Sequence, residues 1–379
     1  MTPPPPARGE GGCFVVPVFL PHEGCPHRCV FCNQHALARA SSDPPPGVSW
    51  QAAAADFLRF RGPARSRSEI AFYGGTFLGL PERRLRELLA EAAALVRRER
   101  LDGIRFSTRP DSVTDATLAI LDEYPVLTVE LGAQSMSDPV LREAGRGHTS
   151  EDTVKAVTRL RERGYHVGLQ LMVGLPGEDA DGLAETGRRI ALLAPDFVRI
   201  YPTLVLAGSE LERRFREDRY QPLSLDHAVA LTAKLYRFFR ANGIPVVRTG
   251  LQATRDLAPG GVVVAGPYHP AFGQLVQSAC FREALLAALR QTPMAAASPS
   301  LRVHPRSLAR LRGHRNETVD RLKTEFGWQR VGVEPDGGLP EDVILLADGR
   351  SVHVYTASDA DALDRVARTG RYRHRSFLK

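Results

Sequence analysis

Cysteine is scarce in this chain, which has five in 379 residues. A disulfide framework usually needs an even, dispersed set of cysteines and an oxidising compartment, so this class of fold is excluded. Long apolar runs are also missing, because none approaches the ~20 residues that span a bilayer. The N-terminal run MTPPPPARGEGGCF lacks the charged and apolar regions of a signal peptide. We therefore expect a cytoplasmic protein with no membrane partner.

The chain also has no excess of acidic over basic residues. The formal net charge is +7 and the pI is near 9.4. Such a charge favours a polyanionic partner such as nucleic acid, although a GC-rich genome that prefers arginine would give the same excess. With 43% apolar and 25% charged residues, the composition is that of an ordinary globular protein.

Three of the five cysteines stand together, in the run GCPHRCVFCNQ. Cys25, Cys29 and Cys32 have the spacing Cys-x-x-x-Cys-x-x-Cys. Soft thiolates select iron–sulfur, zinc or copper over hard metals. Three thiolates can bind three irons of a 4Fe-4S cluster and leave the fourth iron open to a ligand. The spacing therefore predicts a cluster that takes part in chemistry.

Other interpretations of the cysteines stay open. A structural zinc site wants four ligands, and the fourth would be one of His22, His27 and His35. Oxidised protein would allow a disulfide between Cys29 and Cys32. The two isolated cysteines, Cys13 and Cys280, are predicted to be small buried apolar residues.

Apolar runs and amphipathic helices alternate along most of the chain. This pattern predicts an α/β fold, a parallel sheet with right-handed crossovers that forms a full or partial β/α barrel. Ligand groups in such barrels lie at the carboxyl ends of the strands. The predicted strands are Phe14–Leu20, Glu69–Tyr73, Gly103–Ser107, Thr128–Leu131, Val167–Met172, Phe197–Tyr201 and Ile244–Arg248, and the predicted helices are Pro81–Arg100, Ser150–Arg163, Leu183–Leu193 and Ser224 to about Asn242.

Polar or flexible residues follow several of these strands. Gly74 and Gly75 allow a close approach of the backbone to a ligand, and the Thr76 hydroxyl can accept a hydrogen bond. Gln134 suits a ribose hydroxyl or an adenine edge, and Arg146, between two glycines, suits a carboxylate. These residues therefore form a candidate ligand site.

Three further side chains have both a functional and a structural interpretation. Arg109 precedes Pro110 and either faces the site or forms a surface salt bridge with Asp111. Tyr201 either stacks on adenine or a substrate base, or packs inside the barrel. His269, in the run GPYHPAF, either donates a proton or binds substrate, or is a structural turn histidine.

The cysteine run resembles the cluster motif of the radical S-adenosylmethionine (radical SAM) superfamily, in which an aromatic residue, here Phe31, precedes the last cysteine. The resemblance implies a 4Fe-4S cluster on Cys25, Cys29 and Cys32. It also implies SAM as the ligand of the open iron, and reductive cleavage of SAM to a 5′-deoxyadenosyl radical. A one-electron donor such as a flavodoxin or ferredoxin is implied as a partner.

A set of ordered runs resembles one branch of this superfamily, the radical SAM domain of the Elongator catalytic-subunit family. The runs lie between Phe14 and Val276 and read FYGGTF, STRPD, VELGAQSM, GRGHT, GLQLMVGLPGE and RIYPTLVLAGSEL. The resemblance implies a partial (β/α)6 TIM-like barrel and a tRNA substrate. The chain is most similar to short bacterial members, and we expect no acetyltransferase domain after the barrel.

The same ordered set of runs is also similar to the sequences of the oxygen-independent coproporphyrinogen dehydrogenases. In that relative, positions matching Ser107, Gln134, Arg146 and Gln170 contact SAM, and Ser107 and Gln170 replace acidic residues. A Gly-Gly-Glu-type turn in the superfamily binds the amino group of SAM. Here that turn is Gly74, Gly75 and Thr76, with threonine where glutamate is commoner.

The C-terminal region has a different pattern. Its order of strand, helix, basic glycine loop, helix and strand resembles a KH-type RNA-binding module, with the loop at Arg312–Asn316. An α+β cap on the barrel is the other interpretation. We expect a disordered segment 1–13, a barrel with an extension over 14–290, and a small α+β region over 300–379.

These observations support three functional hypotheses. The first is a radical SAM enzyme that modifies a base of RNA, with tRNA as the expected substrate. The second keeps the chemistry but assigns a small metabolite as substrate. The third is an RNA-binding protein with a structural metal.

Overall fold

The computed structural model describes residues 13–33, 49–62, 67–251, 261–291, 298–341, 343–347 and 352–356. The chain divides into two compact units, one from residues 1–225 and 251–270, the other from 226–250 and 271–379. Residues 1–12 of the expected disordered segment lie outside the described residues, as does His35. Among the described residues, no helix is both long enough and apolar enough to cross a membrane.

The principal sheet has seven strands in the order β1-β2-β3-β4-β5-β6-β8. The strands β1 to β6 follow chain order, and each neighbouring pair among them is parallel. They are β1 (Cys13–Phe19), β2 (Arg67–Tyr73), β3 (Gly103–Thr108), β4 (Val126–Gln134), β5 (His166–Val173) and β6 (Phe197–Pro202), with β8 at Val246–Thr249.

Helices connect these strands, as a parallel sheet requires. They are α1 (Trp50–Phe57), α2 (Glu82–Glu99), α3 (Asp115–Leu121), α4 (Asp138–Glu143), α5 (Ser150–Glu162), α6 (Ala180–Leu192), α7 (Glu210–Arg216) and α8 (Leu225–Ala241). The amphipathic helix predicted over Pro81–Arg100 is confirmed as α2, because Leu85, Leu88, Leu89 and Ala92 are buried on one face.

The prediction of a partial α/β barrel is confirmed. Each predicted strand and helix of the barrel is present, with bounds that differ by only a few residues. The sequence pattern missed a short antiparallel ribbon of β7 (Val205–Leu206) and β9 (Val263–Ala265). Strands of two or three residues are too short to show a period of two.

The second unit has its own sheet and core. Its sheet has the order β11-β10-β12-β13, formed by β10 (Ser300–Val303), β11 (Gly332–Pro335), β12 (Val343–Ala347) and β13 (Val352–Thr356). The helices are α9 (Phe272–Gln291), α10 (Leu308–Arg312) and α11 (Glu317–Phe326). The strand–helix–loop–helix–strand order expected for this region is present.

The expected domain boundary near residues 290–300 would place α9 with the barrel. This helix groups with the second unit, because its apolar residues join the core of that unit. Leu285, Leu286 and Leu289 are buried there with Leu301 and Leu322. The proline- and alanine-rich run after α9 shows a change in composition, but the packing of α9 decides to which core it belongs.

Candidate functional site

The predicted site residues follow strands that end at the same edge of the sheet. Parallel pairing brings the last residues of β1 and β2 side by side, at Phe19 and Tyr73. Farther along the sheet, Gly132 of β4 pairs with Gln170 of β5, and Met172 pairs with Tyr201 of β6. The cysteine loop, the glycine turn and the exits of β3 to β6 therefore share one edge.

Backbone hydrogen bonds join the start of the cysteine loop to the turn after β2. The His22 amide donates to the Gly74 carbonyl at 2.9 Å, and the Thr76 amide donates to the Glu23 carbonyl at 2.9 Å. A Cβ at Gly75 would lie 2.2 Å from the Glu23 carbonyl oxygen, so only glycine fits there. The Thr76 hydroxyl lies 3.4 Å from the Cys25 sulfur. The glycine turn thus positions the first cysteine.

The second half of the cysteine loop is held from the other side. The Val30 amide donates to the Ala144 carbonyl at 3.1 Å, and the Leu211 amide donates to the Val30 carbonyl at 2.7 Å. Val30 is buried in a cluster that also contains Met172 and Leu211. Cys29 and Cys32 lie on either side of this anchored segment, and the Cys32 amide donates to the Cys29 carbonyl at 3.0 Å.

Arg146 connects the cysteine loop to the end of β4. Its Nη1 donates to the Cys29 sulfur at 3.0 Å, and its Nη2 donates to the Gly132 carbonyl at 2.6 Å. The side chain is only 6% exposed. A buried guanidinium therefore donates directly to one of the three predicted cluster ligands.

Gln134 lies next to this guanidinium. Its backbone has φ +65°, a left-handed conformation that is uncommon for a residue with a side chain, and the β4–β5 register shifts between Gly132 and Gln134. The Gln134 Nε2 and the Arg146 Nη2 lie 2.8 and 3.2 Å from the Cβ position of Gly132. Gln170 donates from Nε2 to the Gln134 Oε1 at 3.3 Å. Gln134, Arg146 and Gln170 are therefore neighbours around Gly132.

Two buried donors at this edge, the Arg146 Nε and the Arg109 Nη1, have no acceptor within the described part of the chain. His148 is also buried at this edge. Burial, followed by the charges of Arg146 and Arg109, lowers the pKa of His148 to about 4, and the Ala133 backbone offsets this only in part. Unpartnered buried donors are costly, so this edge suits a ligand that carries acceptor oxygens.

Arg109 is not at the surface, which corrects one of the interpretations of its sequence. It is 4% exposed, and it binds both carboxylate oxygens of Asp111, at 2.9 and 2.8 Å. Arg109 directly precedes the short helical turn Pro110–Ser112, which contains its partner Asp111. Its Nη2 lies 3.3 Å from the Cβ position of Gly147, beside His27 of the cysteine loop.

Charged side chains also fill the interior of the sheet's concave face, and sequence reasoning missed them. Glu130 accepts from the Tyr73 hydroxyl at 2.8 Å and from Arg105 and Arg199, both at 3.1 Å. Arg105 also donates to Glu69 at 2.6 Å. Burial and the Glu130 carboxylate raise the pKa of Tyr73 far above its ordinary value, so its hydroxyl stays protonated and donates. The available signal was a charged residue within each of the apolar strands β2, β3, β4 and β6.

The remaining candidates lie at separate points of the edge. Tyr201 packs against the buried cluster that contains Val30, and its hydroxyl accepts from Arg199 at 3.3 Å. Ser107 is half-buried and pairs in register with Glu130. His269 is half-buried three residues after Gly266, whose Cβ position lies 3.2 Å from the Thr203 carbonyl oxygen at the exit of β6.

The donor set of three thiols fits an iron–sulfur cluster. Among the described residues, no three histidine, cysteine or acidic side chains converge on one point where an ion would bind. Cysteines that bind separate irons of a cluster do not need such convergence. The soft thiol ligands, the arginine on Cys29 and the unpartnered donors beside it fit a 4Fe-4S cluster with an anionic ligand at its side.

Comparisons with known sequences agree with this geometry. Residues 19–190 match the radical SAM superfamily, and residues 195–282 match the radical SAM C-terminal domain. The tRNA uridine(34) acetyltransferase of Methanocaldococcus jannaschii is 26% identical over 310 residues, which are 72% of this chain and 56% of that protein. Human Elongator complex protein 3 is 26% identical over 301 residues, which are 65% and 55% of the two chains.

Two further comparisons extend this result. An uncharacterised protein of Methanocaldococcus jannaschii is 29% identical over 237 residues, which are 58% of this chain and 69% of that protein. The chain thus spans little more than half the length of the two named relatives. The solved structure of Methanocaldococcus infernus Elp3 without residues 1–46 has a TM-score of 0.54 at 20% identity, over 89% of this chain and 74% of that chain. The two structures share the fold.

Proposed function

Because this chain belongs to the radical SAM superfamily, and is an enzyme of its Elongator-like branch, we propose that it is a 4Fe-4S enzyme that reductively cleaves SAM to modify a tRNA base. Cys25, Cys29 and Cys32 bind three irons of the cluster. The chemistry that these groups supply when bound is one-electron cleavage of the sulfonium, which gives a 5′-deoxyadenosyl radical. A flavodoxin or ferredoxin is the proposed electron donor.

In this proposal, the residues around the cysteine loop bind SAM. The amino group of SAM donates hydrogen bonds to the turn formed by Gly74, Gly75 and Thr76. Arg146 binds the carboxylate of SAM. Three polar side chains on neighbouring strands, Ser107, Gln134 and Gln170, bind the nucleoside. The observation that carries this assignment is the chain of contacts from Cys29 through Arg146 to Gly132 and Gln134.

Tyr201 and His269 are the proposed substrate residues. Tyr201 lies between the cluster that anchors the cysteine loop and the charged interior network. An RNA substrate is supported by the net charge of +7 and by the names of the relatives, which act on uridine 34 of tRNA. Those relatives are much longer than the matched region, so the group that this chain transfers is left open.

The cofactor assignment is tested on protein reconstituted anaerobically with iron and sulfide. Wild-type protein should bind about four irons per chain, become brown, and form 5′-deoxyadenosine from SAM with dithionite. Cys25→Ala, Cys29→Ala and Cys32→Ala should each lose this activity, whereas Cys280→Ala, in the core of the second unit, should keep it. Undiminished 5′-deoxyadenosine formation in the loop variants would refute the assignment.

The substrate assignment is tested separately, by comparing tRNA nucleosides from cells with and without this chain. A modified nucleoside should disappear in the deletion strain and return with the wild-type chain but not with Cys29→Ala. Identical nucleosides in all strains, with SAM cleavage intact in vitro, would contradict a tRNA substrate and favour a small metabolite.

A further inference from the structure

The second unit contains a sharp loop between two helices. The chain leaves α10 at Gly313 and enters α11 at Glu317. Three of the four intervening residues have a positive φ, which is +71° at Gly313, +52° at Arg315 and +66° at Asn316. The α11 N-terminus therefore follows directly on the loop, and Asn316 makes no side-chain cap on it. The Glu317 amide donates to the His314 carbonyl, which leaves the later amides of the first turn of α11 for a ligand.

The strands on either side of this helix pair complete a recognisable arrangement. β10 precedes α10, β11 follows α11, and the two strands pair in parallel. Leu311 of α10 and Leu322 of α11 are buried in the same core as Leu301 and Val303 of β10. A strand–helix–helix–strand unit of this kind presents its interhelical loop to a nucleic-acid backbone in KH modules.

A separate observation points to a ligand at this loop. Thr318 is 0% exposed, and its hydroxyl has no hydrogen-bond partner among the residues that the structure describes. The Thr318 Oγ1 and backbone N lie 3.0 and 3.4 Å from the point where a Cβ of residue 313 would stand. The space left by the missing side chain of Gly313 is therefore next to two donors of Thr318, its unpartnered hydroxyl and its backbone amide. An anionic oxygen satisfies both donors.

The charges around the loop favour the same kind of ligand. Arg312 and Arg315 are exposed, and neither has a carboxylate within ion-pair distance in the described segments. Nearby arginines differ, because Arg306 and Arg310 both contact Glu341, at 3.1 and 3.2 Å. The nearest acid on the helix, Glu317, is bound by Arg282 at 2.6 Å.

We propose that the loop Arg312–Asn316 binds the sugar–phosphate backbone of single-stranded RNA. A phosphate oxygen accepts from the Thr318 hydroxyl and amide beside Gly313, and Arg312 and Arg315 contact adjacent phosphates. The choice of tRNA as the RNA rests on the proposed function. The proposal extends that function by adding an RNA-binding surface outside the SAM site.

The test measures binding of the full chain to labelled total tRNA and to a labelled single-stranded oligoribonucleotide, by fluorescence anisotropy at several salt concentrations. Arg312→Gln with Arg315→Gln should weaken both interactions about tenfold and lower the salt dependence by one to two phosphate contacts. The matched control, Arg306→Gln with Arg310→Gln, removes the same charge from arginines that contact Glu341, and it should bind like wild type.

Thr318→Val provides a second test that does not depend on charge. The change keeps the shape and removes the unpartnered hydroxyl, so it should weaken RNA binding about threefold or more without lowering the unfolding temperature. Equal RNA affinity in wild type and in both sets of variants would overturn the inference. It would also be overturned if these variants abolished tight binding of a protein partner and left RNA affinity unchanged.

Failure of the inference remains distinguishable from failure of the proposed function. Formation of 5′-deoxyadenosine from SAM without RNA should be the same in the loop variants and in wild type. If wild-type protein binds no RNA, both the tRNA substrate and this loop assignment are wrong. If wild-type protein binds RNA and the loop variants do so equally well, only the loop assignment is wrong.

Discussion

The Arg146 guanidinium lies between the Cys29 sulfur, at 3.0 Å from Nη1, and the Gly132 carbonyl, at 2.6 Å from Nη2. One side chain thus relates the cysteine loop after β1 to the end of β4. Its Nε is buried without an acceptor among the described residues. Arg146 therefore binds a cysteine of the loop and still has a donor for a ligand.

Replacing Arg146 should weaken both the retention of iron by the cysteine loop and the binding of SAM. Arg146→Gln should retain iron about 10- to 100-fold less well under a chelator challenge, as happens when groups that support metal ligands are removed. It should also raise the KM for SAM. Arg142→Gln, on the exposed side of α4, is the matched control and should behave like wild type. Unchanged iron retention and KM in Arg146→Gln would show that this contact is incidental.

The glycine turn after β2 should tolerate no side chain. Gly75→Ala places a Cβ 2.2 Å from the Glu23 carbonyl oxygen, so the backbone of the cysteine loop must move. We expect a loss of about 2 kcal/mol in the free energy of unfolding, measured by urea denaturation. Faster proteolysis between residues 22 and 30 should accompany it.

Gly62→Ala is the control for this substitution, because no atom of the described residues lies within 4 Å of its Cβ position. It should leave both the urea midpoint and the proteolysis pattern unchanged. Equal stability of Gly75→Ala and wild type would mean that the loop adapts without cost, and would weaken the claim that the turn positions Cys25.

The position of the candidate site residues at one edge of the sheet could be predicted because these residues have strong local signals. The cysteine spacing, the paired glycines and Arg146 between two glycines all stand directly after apolar runs, and the parallel sheet brings such positions to one edge. The bounds of β1 to β6 followed from apolar runs of ordinary length. These features depend only on short segments of sequence.

The parts that could not be predicted depend on contacts distant in sequence. Arg109 seemed exposed because Asp111 follows it, yet the fold buries both ends of its guanidinium near Gly147. Glu130 and Arg199 lie 69 residues apart, and nothing local shows that they meet. The placement of α9 depends on which of two cores receives its leucines.

The charged interior network should be important for stability. Glu130→Gln leaves Arg105 and Arg199 without a carboxylate that both now contact, at 3.1 and 2.6 Å respectively. Breaking a buried ion pair by removing one partner typically costs about 3–5 kcal/mol, so we expect a fall of that size in the free energy of unfolding. Tyr73→Phe removes one hydrogen bond to the same carboxylate and should cost about 1 kcal/mol.

Chemical denaturation of the two variants measures this difference directly. Glu82→Gln, which removes a carboxylate from an exposed ion pair with Arg86, should show no measurable change. A Glu130→Gln variant as stable as wild type would indicate that water solvates the network, and that the concave face is wetter than the packing suggests.

His148 should make stability depend on pH in the acid range. Burial and the nearby arginines lower its pKa to about 4, compared with an ordinary value of 6.5. Between these values the unfolded chain binds a proton that the folded chain excludes, so stability falls as the pH decreases from about 7 to 4. Above pH 7 both states are neutral and the effect is absent. The two values correspond to a loss of about 3 kcal/mol by pH 4.

Urea denaturation at pH 7, 6, 5 and 4 isolates this contribution when wild type is compared with His148→Gln. The difference in unfolding free energy between the two proteins should change by about 2–3 kcal/mol across the range, in favour of the variant as the pH falls. His227→Gln, on the exposed side of α8, should follow the wild-type curve at every pH. If the His148→Gln curve also runs parallel to the wild-type curve, the imidazole is protonated in the folded protein, and the arginines at this edge do not exclude a positive charge.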